Sequence, residues 1–200
     1  MLRSVGIYLL PAIVAKYQAL HPFTKIGLAI GNTEAIIDGL LHGNLDLAVI
    51  DAQLTSLRSF HCEFLLEEKL VLAAAPNHPL LREATLTADR LYEVPLIMRK
   101  NASRTRRQLE IELAKAGFDL QRLKVVYEFD NNEAIKQAIT AGLGCGFLPL
   151  EVLEQSLRWG EIGIVKGLGL RRKLWLYSKC GEGLGLVQAF NRFLVQEVAA

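Results

Sequence analysis

Four polar stretches have the residue types and spacing to hold a small anion: Ser4, Asn32 with Thr33, Ser103 with Arg104 and Thr105, and Asn131 with Asn132. Each stands at the head of a segment whose apolar residues recur at helical spacing. The first backbone N–H groups of a helix have no intrahelical acceptor, and the helix dipole is positive there, so an anion is favoured. Ser, Thr and Asn side chains add neutral donors. Arg104 lies in a first turn, where a cation opposes the dipole, as a residue kept for a ligand does. Any one of these residues alone reads equally as an ordinary N-cap.

Signals for covalent chemistry are poor. His21, His42, His61 and His78 are scattered, with no Ser or Cys at motif spacing. Glu67 and Glu68 are neighbours in a strand, face opposite ways and form no acid–base pair. No H-E-x-x-H and no Walker lysine occurs. Cys62, Cys145 and Cys180 are odd in number and include no C-x-x-C, which argues for buried reduced thiols over a disulfide framework or a zinc site. The chain reads as no enzyme, with no cofactor and no metal.

The stretch "FDNNEAIKQAITAGLGCGFLP" (129–149) carries Gly142, Gly144 and Gly146. A dinucleotide fingerprint has its glycines after a strand and before a helix. Here the helix comes first. The glycines are expected to end it and to let the chain enter a crowded strand.

The elements that must position these residues alternate in type. Helices are expected over 5–19, capped by Ser4 and with Pro11 kinking it or marking its first turns, over 34–43 behind Asn32 and Thr33, and over 104–117 behind Ser103. Further helices are expected behind Asn131 and Asn132, over 150–157 and over 186–198. Strands are expected at 25–30, 46–51, 67–75, 94–99, 124–129, 145–149 and 173–178. The alternation predicts an α/β fold with mostly parallel sheets.

An offset of 99 residues aligns the two halves without a gap, and about ten of fifty positions are identical. Ser4 falls on Ser103, Lys25 on Lys124, Asn32 on Asn131 and Gly43 on Gly142. Every element boundary coincides, so two similar α/β lobes are expected, with the four helix starts turned into one cleft. The strand "VPLIMR" before Ser103 has no counterpart before Ser4, so the first strand of the first lobe is expected to be missing. Strands left without that neighbour are sticky.

With 200 residues and 51% hydrophobic content, the chain can bury a real core. A formal charge of +2 does not by itself mark a nucleic-acid binder. The cluster Arg99, Lys100, Arg104, Arg106 and Arg107 reads as a solvated helix face or as anion-facing in at least one member. No window approaches a membrane span, and "MLRSVGIYLLP" lacks a cleavage site, so a soluble cytoplasmic protein is expected, with no membrane partner.

"GIYLLPAIVAKYQALHP", "GNTEAIIDGLLHGNLDLAVID", "EEKLVLAAAPNHPL", "ASRTRRQLEIELAKAG" and "NNEAIKQAITAGLGCGFLP" resemble, in order, the effector-binding domain of LysR-type transcriptional regulators. The resemblance implies a fold similar to type 2 periplasmic binding proteins: two Rossmann-like lobes joined by two crossover strands. The lobes would be 1–72 plus 176–200 and 73–175, with the ligand between them. The outward crossover would be "KLVLAAA" and the return "GLRRKLWLYS". The family's effector contacts fall here on Ser4, Asn32, Thr33, Ser103, Thr105, Asn131 and Asn132. Arg104 replaces a glycine of the family's Ser-Gly-Thr-Arg stretch, which favours a more anionic effector.

The implied function is sensing a small anionic metabolite for a bacterial transcription regulator, controlling its oligomer geometry. A homodimer or tetramer is expected, made through the 5–19 helix. DNA would be reached only through the family's winged helix-turn-helix, which this chain lacks. Two alternatives stay open. One is the solute-binding receptor of a transport system, which needs a secretory signal. The other is a dehydratase on the same fold, for which "RTRRQ" matches only part of a Thr-Arg-Phe motif.

Overall fold

The computed structural model describes residues 4–54, 59–101, 103–180 and 185–199. The chain divides into two compact units, Met1–Glu67 with Lys173–Ala200, and Glu68–Arg172. Two long strands, β2 (Phe60–Ala74) and β7 (Leu170–Lys179), each run from one unit into the other.

In the first unit a π-helical turn, Val5–Leu9, leads into α1 (Leu10–Leu20). Ser4 itself has helical backbone angles and makes no side-chain cap bond, so the expected cap is absent. Pro11 explains the wider turn. It has no N–H to donate and its ring crowds the carbonyl one turn back. The ladder opens to an i→i−5 bond, Leu10 N–H to Val5 O, and the α-helix begins with Pro11 in its first turn. The helix α2 (Thr33–Leu41) follows, then β1 (Leu47–Ile50), which pairs antiparallel with β7. The helix α7 (Gly185–Ala199) closes the unit.

The alternation of a strand splits the core. Val49 joins Leu10, Ile13, Tyr17, Leu176 and Phe190 on the side of α1 and α7. Ala48 and Ile50 join Ile36, Leu40 and Tyr177 on the side of α2. Ala48, Val49 and Ile50 are fully buried, as an apolar run with both faces covered should be.

In the second unit β2 leads through a 3₁₀ turn (Pro79–Arg82) to α3 (Ala88–Glu93), β3 (Leu96–Arg99) and α4 (Arg104–Lys115). Then come β4 (Val125–Phe129), α5 (Asn132–Thr140), β5 (Cys145–Pro149), α6 (Leu150–Arg158) and the short β6 (Gly163–Ile164). β3 runs parallel to both β4 and β5, whereas β2 is antiparallel to β5 and β6. The sheet is mixed, not mostly parallel, because the strands that change units run against the βαβ strands. Met98 packs with Leu109 and Leu113 of α4. Ile97 packs with Ile135 and Ile139 of α5 on the opposite face.

The 99-residue repeat is exact in places. α2 and α5 begin and end 99 positions apart, and Gly43 and Gly142, which follow them, have φ of 78° and 79°. One counterpart differs. Residues 124–129 contain β4, but 25–30 form no strand. β4 owes its existence to parallel pairing with β3. The position equivalent to β3 falls before residue 1, so 25–30 has no such neighbour among the described residues.

Candidate functional site

The helix starts of each unit are built alike. Asn32 accepts a bond from Ala35 N–H on its Oδ1 at 2.9 Å, and Asn131 does the same with Ala134 N–H at 2.8 Å. Both side chains are thus N-caps, with the amide nitrogen left over. The next residue is buried in each case: Thr33 in the first unit, Asn132 in the second.

Their surroundings differ. The Thr33 hydroxyl lies 3.5 Å from the carboxylate of Asp51, buried just after β1. The loop there is pinned by Tyr177, whose hydroxyl donates to Ala52 O and accepts from Leu54 N–H. Asn132 is 7% exposed and makes no side-chain hydrogen bond among the described residues. It lines a recess of about 330 Å³, open space included, within the second unit. Leu70, Met98, Leu109 and Phe147 give the recess apolar walls, and Thr105 also lines it.

At the start of α4, Ser103 is the N-cap by backbone angles but makes no side-chain cap bond. Its chain entry is fixed by Ser103 N–H donating to Lys100 O. The first turn holds no acidic residue and begins with Arg104, whereas α2 and α5 carry Glu34 and Glu133 there. The α4 start is therefore the most electropositive of the three.

Arg106 departs from the solvated helix face. It is buried, and its guanidinium donates to Glu110, to Glu128 and to the Arg99 carbonyl. Burial works against its charge, but the bonds to Glu110 and Glu128 outweigh it and raise its pKa. Lys100 and Arg107 are exposed, and Lys100 pairs with Asp130.

Of the candidate residues, the second unit brings Thr105 and Asn132 to one recess. Ser103, Arg104 and Asn131 flank them in the chain without lining it. In the first unit Asn32 is exposed, and Ser4 and Thr33 are buried. Asp51, Arg99 and the apolar walls escaped sequence reasoning. Arg99 showed only as part of a basic cluster, and Asp51 as the end of a strand.

One cysteine and one histidine meet in the second unit. Leu80 N–H donates to His78 Nδ1, so Nε2 carries the proton and points it at Cys145 Sγ, 3.6 Å away. Burial pushes the Cys145 thiol up to about 11, which keeps it a thiol. Burial and the charge of Arg90 lower the His78 pKa, which keeps the ring neutral. Cys145 is buried as expected, but Cys62 is half-buried and Cys180 exposed, because both lie near strand ends. Glu67 is exposed and Glu68 buried, opposite ways as expected. Glu68 pairs with the guanidinium of Arg172. Among the described residues no cluster of His, Cys, Asp and Glu could hold a metal, and no helix is long and apolar enough to cross a membrane.

Two units of repeated helix starts joined by two strands match a known domain. The model of the LysR substrate binding domain covers residues 1–199. The chain belongs to the LysR substrate-binding domain family. It is 33% identical over 193 residues to the HTH-type transcriptional regulator YeiE of Escherichia coli (strain K12), covering 96% of this chain and 64% of YeiE. It is 32% identical over 196 residues to the HTH-type transcriptional activator CmpR of Synechocystis, covering 96% of this chain and 62% of CmpR. The chain thus spans less than two thirds of these relatives. The CcmR regulatory domain of Synechocystis PCC6803, solved in complex with 2-PG, superposes with a TM-score of 0.85 at 23% identity, covering 98% of this chain and 94% of that one. The LysR substrate-binding domain has the type 2 periplasmic-binding-protein architecture of two α/β lobes joined by two crossover strands.

Proposed function

We propose that this LysR substrate-binding domain senses a small anionic metabolite for a transcription regulator and catalyses no reaction. The ligand contacts come from the helix starts of both units: Ser4, Asn32, Thr33, Ser103, Arg104, Thr105, Asn131 and Asn132. The observation that carries this reading is the α4 start. It has no side-chain cap, no acid in its first turn, and a basic residue where the dipole is already positive. The HTH-type names of the relatives support the regulator over a transport receptor. In the full-length protein DNA is bound by sequence outside this chain, and the protein works as a cytoplasmic homo-oligomer. The ligand acts by favouring one arrangement of that oligomer, and its affinity difference between arrangements sets the size of the response.

The test is a thermal-shift panel of small organic acids, 2-PG and inorganic oxyanions on the 200-residue chain and on a Ser103→Ala/Asn131→Ala variant. Ligand-induced stabilisation is expected in the first and lost in the second, each against its own ligand-free baseline. Equal shifts in both would overturn the site.

A further inference from the structure

We infer that Glu151 is a proton-operated latch in the second unit: with its carboxyl neutral, the start of α6 stays closed against the buried Glu68–Arg172 pair, and with it ionised, that start opens.

The register of β2 on β5 brings the groups together. Leu70 stands opposite Pro149, and Val71 opposite Leu148. β5 ends at Pro149 and α6 begins at Leu150. Carried on by two residues, the register sets Glu151 beside Glu68. Glu68 and Arg172 are each only 2% exposed, and Nε and Nη2 of the guanidinium both reach Oε2 of Glu68. Two carboxyl groups thus share the neighbourhood of one guanidinium, and Glu68 holds it.

The charges do not balance if both carboxyl groups ionise. Glu68 and Arg172 neutralise each other, so an ionised Glu151 is a surplus negative charge. Its Oε2 is buried and has no hydrogen-bond partner among the described residues. Such an oxygen is far more destabilising on a carboxylate than on a neutral acid. Burial holds the carboxyl above the ordinary range, and the charges of Glu68 from β2 and Glu154 from α6 add to that. The backbone N–H of Glu151 and the charge of Arg172 from β7 oppose it without cancelling it. Arg158 counters Glu154 only loosely, at 3.9 Å. β5 and α5, also packed on α6, meet it through apolar residues such as Leu148, Ile135 and Ile139. Val152 and Leu153, next in the chain, are buried in that cluster. Moving the Glu151 carboxylate to water therefore pulls on the first turn of α6.

Two measurements on the 200-residue chain test this. The Glu151 carboxyl, followed by ¹³C NMR, should titrate above the ordinary glutamate value. In amide hydrogen exchange, corrected for the intrinsic effect of pH, residues 153–157 of α6 should lose protection as pH rises through that titration to about pH 8. The loss should exceed that of residues 109–113 in α4. Glu151→Gln, whose side chain stays neutral, should keep α6 protected across the range. A Glu151 carboxyl that titrates at the ordinary value, α6 protection that does not change with pH, an equal loss in α4, or a loss that persists in Glu151→Gln would each overturn the inference. The carboxyl titration needs no variant, so it decides even if Glu151→Gln folds poorly.

Discussion

Asn131 and Asn132 are adjacent and do different things. Asn131 holds the first turn of α5, and losing such a cap costs about 1 kcal/mol. Asn32→Ala and Asn131→Ala should each lower stability in urea melts by about that amount. Asn132 makes no side-chain hydrogen bond among the described residues, and its amide atoms keep access to solvent. Asn132→Leu should therefore change the stability of the ligand-free chain by less than about 1 kcal/mol. A larger loss or gain in the same urea melts would contradict a solvent-reached amide. The glycines answer to backbone geometry alone. Gly142 has φ of 79°, and a Cβ on Gly144 would run into the Pro95 carbonyl oxygen. The caps at Asn32 and Asn131 and the turn at Gly142 were legible because each acts within a few residues of itself, whereas Gly144 answers to Pro95, distant in sequence. The environment of Asn132 was not, because its recess is assembled from β2, β3, α4 and β5.

Among the elements, α2 and α5 were legible from their stripes and caps, and α3 was not, because its six residues are too few for a period to show. The strand expected at 25–30 failed for a different reason. Its composition is strand-like, but a strand is a pairing, and no strand among the described residues pairs with it. The crossover strands carry the least readable contact. Glu68 and Arg172 are 104 residues apart and meet where β2 and β7 change units, both almost fully buried. Arg172→Met leaves Glu68 buried without its counter-charge and should cost about 3–5 kcal/mol, whereas adding Glu68→Leu should recover most of it. Glu151, in the first turn of α6, belongs to the same neighbourhood. Burial raises its pKa, the charges of Glu68 and Glu154 add to that, and Arg172 opposes it. Its Oε2 has no hydrogen-bond partner among the described residues. An acid whose folded pKa is raised destabilises the fold once it ionises. Stability from this group is therefore greatest at or below the ordinary carboxylate pKa and falls as pH rises through the raised one. Glu151→Gln should be more stable than the parent at pH 7, with the advantage shrinking towards pH 4 in paired urea melts.

For the whole molecule, the repeat was the most informative feature of the sequence. It located two units before any element was certain, because matching helix starts at Asn32 and Asn131 and matching glycines at 43 and 142 constrain both copies at once. It also concealed what differs between the copies. The offset pairs Thr33 with Asn132 as equivalent, yet one faces a carboxylate and the other an apolar recess. Equal helix starts thus carry unequal chemistry. The most direct measurement is the backbone amide spectrum of the ¹⁵N-labelled chain titrated with the anion of the thermal-shift panel that stabilises it most. The amides of Thr105, Arg106, Asn132 and Glu133 should shift along one saturating curve, with those of the α7 helix still. Saturating shifts confined to other surfaces, or shifts at these four that never saturate, would contradict a ligand site at the α4 and α5 starts.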